Sequence, residues 1–338
     1  MFALAITVLS SCKKDKVVDP CGDELTNGYF VTNEGNFGTG NGSISYVKYG
    51  EVRNNVFECR NELSLGDVVQ SMTIIDDNAY IMVNGSSKIE VASVDFMSSV
   101  ATIQDLVSPR YMAKVSDEKA YVTDWGINGV QVIDLLTNTI SSTIACGSGP
   151  EGITVANGFA YVCNVGGWGL DNTVSVINTG TDALETTLTV GDKPNSVVVD
   201  ANGAVWVLTG GNTQYDADWN VVSETAGNLV KIVGNAIEAT YTFPIGNHPE
   251  DLVINDAGTT LYYSDGQWSK AVYAFNVNDP ELSTTPLISR SFYGLGFNDG
   301  YIYGTDAVDY VQSGWSYKYS SNGSIIDSVQ VGIIPGGY

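Results

Sequence analysis

Hydrophobic and polar residues alternate in short runs along most of the chain, which is the pattern of half-buried β-strands. The clearest runs, at residues 120–124, 160–164 and 261–265, hold an aromatic, then alternating residues, then Asp or Asn. Residues 130–134 and 174–178 alternate in the same way. No segment sustains an apolar period of 3.6 residues, so the pattern predicts an all-β chain with almost no helix.

The aromatic of these runs marks a repeat. It recurs seven times, at Phe30, Tyr80, Tyr121, Tyr161, Trp206, Tyr262 and Tyr303. The intervals are 50, 41, 40, 45, 56 and 41 residues. A period near 40 with insertions is typical of a β-propeller with four strands per blade. One full blade is predicted to hold strand A at 151–155, B at 159–163, C at 173–178 and D at 183–190.

The chain ends explain how the ring closes. Residues 331–338 align with 190–197, so the C-terminus begins a strand A. The first repeat begins with strand B and lacks a strand A of its own. Closure removes exposed strand edges. We therefore expect residues 27–338 to form a seven-bladed β-propeller of four-stranded antiparallel blades, closed by the C-terminal segment.

Three motifs carry a family resemblance. They are the AYVxN-like strand B, the VxVIDxxT-like strand C and a VGxxP turn, as at residues 190–194. They resemble the YncE-like propellers, also called surface-layer or 40-residue repeat propellers, over about residues 27–338. The resemblance implies the fold but says little about function, because propellers host many functions.

The N-terminus predicts export. Residues 2–9 are an apolar run too short to span a bilayer. They lead to Leu9, two serines and Cys12, which resembles a bacterial lipobox at the end of a signal peptide. We expect residues 1–12 to be the signal peptide, Cys12 to carry the lipid, and 13–26 to be a tether. No basic residue precedes the apolar run, and an ordinary N-terminal strand is the alternative.

Composition narrows the choice of partners. Charged residues are only 16% of the chain and the formal net charge is -23. Nucleic-acid binding needs a basic surface, so that class is excluded. Acidic surfaces also keep exported proteins dispersed, and a cationic ligand is the other interpretation of this charge. Contact with a membrane is expected only through the lipid, and the propeller is expected to be monomeric.

Cysteine and histidine offer little chemistry. No C-x-x-C pair occurs, so no metal site is expected, and nothing in the sequence predicts a cofactor. Cys21 and Cys59 are candidates for a disulfide between the leader and the first blade. Cys146 and Cys163 are expected to be buried thiols. The single histidine, His248, is expected to be exposed in a turn, which leaves no catalytic triad.

Aligning the repeats on Glu151 brings together the residues expected at the mouth of the central channel. They are Gln70, Arg110, Glu151, Asn195, Glu250, Tyr293 and Gly336. Six of the seven are polar or carry a hydroxyl, although strand A is otherwise apolar. They are candidate ligand-binding residues, and a merely hydrated channel mouth is the alternative.

The B–C loops are extended in four blades, at residues 34–42, 165–171, 210–227 and 307–314, all on the face that also holds the D–A turns. Aromatic residues concentrate there. The candidate ligand-binding aromatics are Trp125, Trp168, Tyr215, Trp219, Trp268, Tyr310 and, bordering a loop, Trp315. Exposed aromatics on polar loops suit a ligand with a flat or apolar surface. Aromatics that only anchor the loops are the alternative.

Three functions remain open. Lipobox propellers of Bacteroidetes resemble parts of nutrient-capture systems, which implies a non-enzymatic surface lipoprotein that binds a ligand, such as a corrinoid, together with an outer-membrane TonB-dependent transporter. The second is a lyase- or hydrolase-like enzyme that uses Glu151 and Glu250 as acid and base. The third is a scaffold that binds protein or glycan partners.

Overall fold

The computed structural model describes residues 21–266 and 270–338, which form seven radial β-sheets around a central channel. The predicted signal peptide, Cys12 and Trp268 lie outside the described residues. The chain is a seven-bladed β-propeller with antiparallel blades, and the described residues contain one short α-helix and two single-turn 3-10 helices. The predicted fold class is confirmed.

Strands within a blade run from the channel (A) to the rim (D). Blade one supplies β1 (Tyr29–Asn33), β2 (Ser43–Lys48) and β3 (Glu51–Arg53), followed by α1 (Val56–Asn61). Blade two holds β4 (Val69–Ile75), β5 (Asn78–Val83), β6 (Lys88–Ser93) and β7 (Ser99–Ile103). Blade three holds β8 (Pro109–Lys114), β9 (Lys119–Asp124), β10 (Gly129–Asp134) and β11 (Thr139–Ala145). Blade four holds β12 (Pro150–Ala156), β13 (Phe159–Asn164), β14 (Thr173–Asn178) and β15 (Ala183–Thr189), within one residue of the prediction.

Blades five and six depart from the repeat, while blade seven keeps its four strands. Blade five holds β16 (Pro194–Val199), β17 (Val205–Thr209), the hairpin β18 (Asn212–Tyr215) and β19 (Val221–Thr225), then β20 (Asn228–Val233) and β21 (Ala236–Thr242). Blade six holds β22 (Glu250–Ile254), β23 (Thr260–Asp265) and β24 (Ala271–Asn276), with a single bridge from Val272 to Ile288 in place of a fourth strand. Blade seven holds β25 (Gly294–Asn298), β26 (Tyr301–Asp306), β27 (Ser313–Ser320) and β28 (Ile325–Ile333).

The C-terminal segment closes the ring, as predicted. After β28 the chain forms β29 (Pro335–Gly337), which pairs antiparallel with β1 as the inner strand of blade one. The ring of Tyr338 then packs beside Tyr29 and Tyr303, with centroids 6.1 and 5.1 Å away. We call residues 335–338 the latch. It is short, as its truncated repeat implied.

The repeated aromatic of strand B joins neighbouring blades. Tyr80 and Tyr161 donate hydrogen bonds of 3.1 and 2.5 Å to Asn138 and Asn235, which lie in the C–D turn of the next blade. Tyr121 donates in the same way to Asp182. The Asx acceptor in each turn has a positive φ, which Asn and Asp tolerate. The tyrosine recurs because it fills the space between sheets and ties them together.

The Asp or Asn that ends strand B has a separate role, because it holds the following turns. The Asp124 carboxylate accepts hydrogen bonds from the backbone N–H of Val107, Ser108 and Gly126. In blade one, Asn33 accepts from the N–H of Gly332, at 3.0 Å. These bonds satisfy backbone donors that no strand partner reaches, and they fix the face on which the loops lie.

The leader is fastened to blade one. Cys21 forms a disulfide with Cys59 in α1, with Cα atoms 5.6 Å apart, so this pairing is confirmed. Cys146 and Cys163 are free. Cys163 is fully buried, as expected, while Cys146 is half-buried. Burial raises the pKa of the Cys146 thiol to about 12, so it is protonated and unreactive near neutral pH.

We expect the Tyr121→Phe substitution to lower the free energy of unfolding by about 1 kcal/mol, because it removes one inter-blade hydrogen bond and keeps the ring. Chemical denaturation measures this change. Tyr49→Phe is the control, because the Tyr49 ring is 86% exposed. If both variants unfold at the same denaturant concentration, the tyrosine does not join the blades.

Candidate functional site

A cavity of about 1230 Å³ opens at the mouth of the channel, on the face of the D–A turns and B–C loops. Three successive positions of strand A form most of its wall, with Tyr293 and Gly294 as the exceptions, and we name these positions as rings by depth. Ring one is Gln70, Arg110, Glu151, Asn195, Glu250, Tyr293 and Gly336. Ring two is Ser71, Tyr111, Gly152, Ser196, Asp251, Gly294 and Gly337. Ring three is Met72, Met112, Ile153, Val197, Leu252, Leu295 and Tyr338.

Strand register explains this layering. Ring-three residues Met72, Met112 and Ile153 sit opposite Ile81, Val122 and Val162, the third residue of each strand-B motif. A register shift precedes each of them, so the two residues before Met112 and Ile153, and Gln70 before Ser71, leave the regular ladder. The cavity therefore has polar upper rings and an apolar floor, the usual composition of a small-molecule site.

Arg110 is the hub of ring one. Its Nε and Nη2 donate to both oxygens of Glu151, at 2.8–3.3 Å, and its Nη1 donates to Gln70 at 2.5 Å. The Arg110 and Glu151 side chains are 17% and 10% exposed. Burial tends to lower the pKa of Arg110, and the Glu151 charge more than offsets this, so the pKa is raised. Three predicted site residues, Gln70, Arg110 and Glu151, thus form one hydrogen-bonded cluster around an ion pair.

Trp125 supports this cluster. The Arg110 guanidinium lies 4.3 Å from the centre of the indole ring. Gly167, on the neighbouring B–C loop, lies close to the indole: a Cβ added at this glycine would be 3.8 Å from Trp125 Cε3. The indole Nε1 is buried without a hydrogen-bond partner. Trp125 lines the cavity, but its contacts resemble those of a loop anchor, the alternative interpretation of the aromatics.

Trp168 and Trp219 are open to solvent, at 101% and 82% exposure. Trp168 lies edge-on to Trp125, with centroids 6.3 Å apart. Trp219 is at the tip of the β18–β19 hairpin, 6.1 Å from Tyr215, and Tyr215 itself lines the cavity. These two tryptophans are the flat apolar surfaces that a ligand or partner can reach.

His248 is not the exposed turn residue that the sequence predicted. It is half-buried and lines the cavity. Its Nδ1 donates to the carbonyl of Gly210 at 2.8 Å, and its Nε2 lies 3.0 Å from Thr213 Oγ1 and 3.4 Å from Glu224. It is buried because the blade-five insertion folds into a hairpin whose base packs against it. The imidazole therefore fastens that hairpin.

Asn195 occupies its predicted place, but its amide is used within the scaffold. Nδ2 donates to the carbonyl of Pro249 at 3.0 Å, and Oδ1 accepts from Ser196 at 2.6 Å. The Ser196 hydroxyl in turn accepts from the N–H of Leu252 at 2.9 Å. These bonds join blade five to blade six beneath the mouth.

Tyr293 and Tyr310 lie beside the cavity rather than on its wall. The Tyr293 hydroxyl donates to Glu34, with both carboxylate oxygens at 3.1 Å, and its ring meets Tyr310 edge-on at 5.7 Å. Burial raises the pKa of Glu34, and the Tyr293 hydrogen bond opposes that rise. Trp315 lies within β27, half-buried against Tyr317, and does not line the cavity.

Asp251 in ring two is a site residue that the sequence analysis missed. Burial and the neighbouring Glu250 raise its pKa to about 7, while Lys270 acts in the opposite direction. Lys270 is already paired with Glu250. Asp251 has a φ of 59°, in the left-handed region. Tyr111, beside it in ring two, has a pKa raised by burial and by the charges of Glu151 and Asp251.

The two carboxylates of the enzyme hypothesis are held in separate ion pairs, Glu151 with Arg110 and Glu250 with Lys270. Within residues 21–266 and 270–338, no three His, Cys, Asp or Glu side chains are arranged to hold a metal ion. Over the same residues, no helix is long and apolar enough to cross a membrane.

Comparisons with known proteins place the chain in a family. The family described as "Domain of unknown function (DUF5074)" matches residues 27–329, and the chain belongs to it. No curated protein matches the chain in sequence.

Solved structures share its fold at low sequence identity. A quinonprotein alcohol dehydrogenase-like protein from Bacteroides thetaiotaomicron is 13% identical, with a TM-score of 0.67 over 91% of this chain and 76% of its own. A protein assigned as a candidate 6-phosphogluconolactonase from Bacteroides fragilis is 10% identical, with a TM-score of 0.66 over 92% and 97%. A protein of unknown function from Desulfotomaculum acetoxidans is 15% identical, with a TM-score of 0.65 over 92% and 98%. At these identities the likeness establishes the propeller fold alone.

Proposed function

We propose that this protein is a non-enzymatic lipoprotein, tethered at the outer membrane or cell surface through Cys12, that captures a small molecule in the cavity at its channel mouth. One observation carries the proposal: the cavity of about 1230 Å³ has two polar rings above an apolar floor. Such a cavity can enclose a large ligand, holding its polar groups at the mouth and its apolar part below. The Cys21–Cys59 disulfide supports an oxidising compartment outside the cytoplasm.

Exposed aromatic side chains on the loop face support a second contact with a partner protein. Phe37, Trp168 and Trp219 are 85%, 101% and 82% exposed. Large apolar side chains left exposed on one face are typical of interaction surfaces. In our proposal an outer-membrane transporter of the TonB-dependent type receives the ligand at this face.

A corrinoid is the first ligand to test, because the sequence resemblance implies it. We expect micromolar cobalamin to quench the tryptophan fluorescence of the protein. Trp168→Phe combined with Trp219→Phe removes most of the quenching, because Trp168 contacts Trp125 and Trp219 contacts Tyr215, both of which line the cavity. The matched control is Trp315→Phe, which leaves the quenching intact because Trp315 lies on β27 away from the cavity.

A thermal-shift assay with a broad ligand panel distinguishes the proposal that the protein binds a small molecule from the proposal that this molecule is a corrinoid. A ligand present at 1,000 times its dissociation constant stabilises a fold by about 4 kcal/mol. No quenching by cobalamin, together with stabilisation by another ligand, rejects the corrinoid and keeps the binding function. No stabilisation by any member of the panel rejects the binding function.

A further inference from the structure

The charges of the cavity are unequally compensated. Its charged lining residues are Glu151, Glu224, Glu250, Asp251, Arg110, Lys193 and Lys270. Arg110 forms an ion pair with Glu151, and Lys270 forms one with Glu250. Among the described residues, Asp251 and Lys193 line the cavity without an ion pair. The charges that act on the Asp251 carboxylate are those of Glu250 and Lys270, so Lys193 does not compensate it. Enclosing an ionised carboxylate without compensation is unfavourable.

The backbone holds Asp251 in this position. Its φ of 59° is unusual for a residue within a strand, and β22 shifts register between Glu250 and Val253. Strained conformations of this kind concentrate at functional sites. From the opposite side of the channel, the Glu151 charge adds to that of Asp251 at Tyr111. Arg110 acts in the opposite direction at Tyr111 and is paired with Glu151, so the Asp251 carboxylate is the negative charge that remains without an ion pair in ring two.

We infer that the captured ligand carries a positively charged nitrogen, an ammonium on an apolar or aromatic body, which Asp251 binds at ring two. This inference rests on the proposed function, since it names the chemistry of the ligand that the same cavity holds. It replaces the corrinoid, which carries no ammonium, so quenching by cobalamin would count against it. The ammonium supplies the charge that Asp251 lacks, and the faces of Tyr111 and Tyr215 line the same space, where cations bind aromatic rings favourably. Ring three receives the apolar body. The net charge of -23 attracts cations toward the protein as a whole.

Three soluble probes that share one indole body test the inference by calorimetry: tryptamine (cation), tryptophol (neutral) and indole-3-propionate (anion). At pH 8.5 we expect tryptamine to bind at least about tenfold more tightly than tryptophol, and the anion more weakly than either. Asp251→Asn makes tryptamine and tryptophol equal, because it removes the charge and keeps the shape. Asn also tolerates the left-handed conformation, so the variant folds.

The pH dependence is a second readout. With a pKa of about 7, Asp251 is about 97% ionised at pH 8.5 and about 97% protonated at pH 5.5, so tryptamine affinity falls on acidification by most of its preference over tryptophol, about eightfold for a tenfold preference. The charged and titratable groups around Asp251 are Glu250, Lys270, Tyr111, Glu151 and His248. Among them, His248 carries an imidazole that also lines the cavity, so it is tested separately. The step persists in His248→Gln and disappears in Asp251→Asn.

Glu238→Gln is the matched control, because it removes a carboxylate on the outer strand β21, where Glu238 is paired with Lys231. It leaves the preference for tryptamine unchanged. Equal or tighter binding of tryptophol or indole-3-propionate overturns the inference, as does a preference for tryptamine that survives in Asp251→Asn. Should all three probes fail while a panel ligand stabilises the protein, the cation inference falls and the binding function stands.

Discussion

Removing residues 335–338 is expected to lower the free energy of unfolding by about 5 kcal/mol and the melting temperature by about 10 °C. The loss has two parts. Strand β1 loses its inner partner β29, and the Tyr338 ring leaves its place between Tyr29 and Tyr303. Total stabilities of roughly 5–15 kcal/mol make this a large fraction. Calorimetric melting of the truncated and full-length proteins measures it.

Two point variants divide the effect. Tyr338→Phe loses only the hydrogen bond to the Ser316 hydroxyl, 3.0 Å away, and costs about 1 kcal/mol. Tyr338→Ala loses the ring as well and costs about 3 kcal/mol. If the truncated protein melts within about 2 °C of the full-length protein, the latch does not close the ring in the way described here.

Arg110→Met is expected to lower the free energy of unfolding by about 3–5 kcal/mol, because it leaves the Glu151 carboxylate, which is 10% exposed, without its partner. Combining it with Glu151→Leu restores most of the loss, since the double variant buries no charge. Denaturant unfolding of the two single variants and the double variant gives the coupling energy directly.

The Lys231–Glu238 pair on the surface is the comparison for this measurement. Lys231→Met is expected to cost less than about 1 kcal/mol, because exposed ion pairs are screened by water and salt. A loss for Arg110→Met as small as the surface value means that water reaches the Glu151 carboxylate freely. The Arg110 cluster would then contribute little to the rigidity of the mouth.

The fold could be predicted well from the sequence because the same residue types recur at the same positions of strand B in most blades. Strand B carries an aromatic that reaches the next blade and an Asp or Asn that holds a turn, so both positions recur with the period of the structure. Ring one was found by the same alignment. The adjacent column, with Ser71, Tyr111, Ser196 and Asp251 among glycines, carried a similar signal one residue further on.

What the sequence did not predict depends on loops meeting one another. Trp125 and Trp168 look alike in a Gly-rich context, yet one supports Arg110 and the other is fully exposed. The hairpin β18–β19 was not predicted, because its strands are short and rich in polar residues. His248 was judged from its turn alone, while its environment comes from that hairpin. Contacts between loops of different blades leave no periodic pattern in the sequence, so they could not be predicted from it.

The disulfide also determines how the molecule bears load. Cys21 and Cys59 are 38 residues apart, and β1, β2 and β3 all lie between them. Tension applied to the chain before Cys21 is transmitted through the disulfide to Cys59 in α1, in parallel with the segment that contains those strands. A pull on the chain before Cys21 is therefore transmitted to Cys59 as well as to β1. The disulfide thus reduces the share of that force that reaches the pairing of β1 with the three residues of β29.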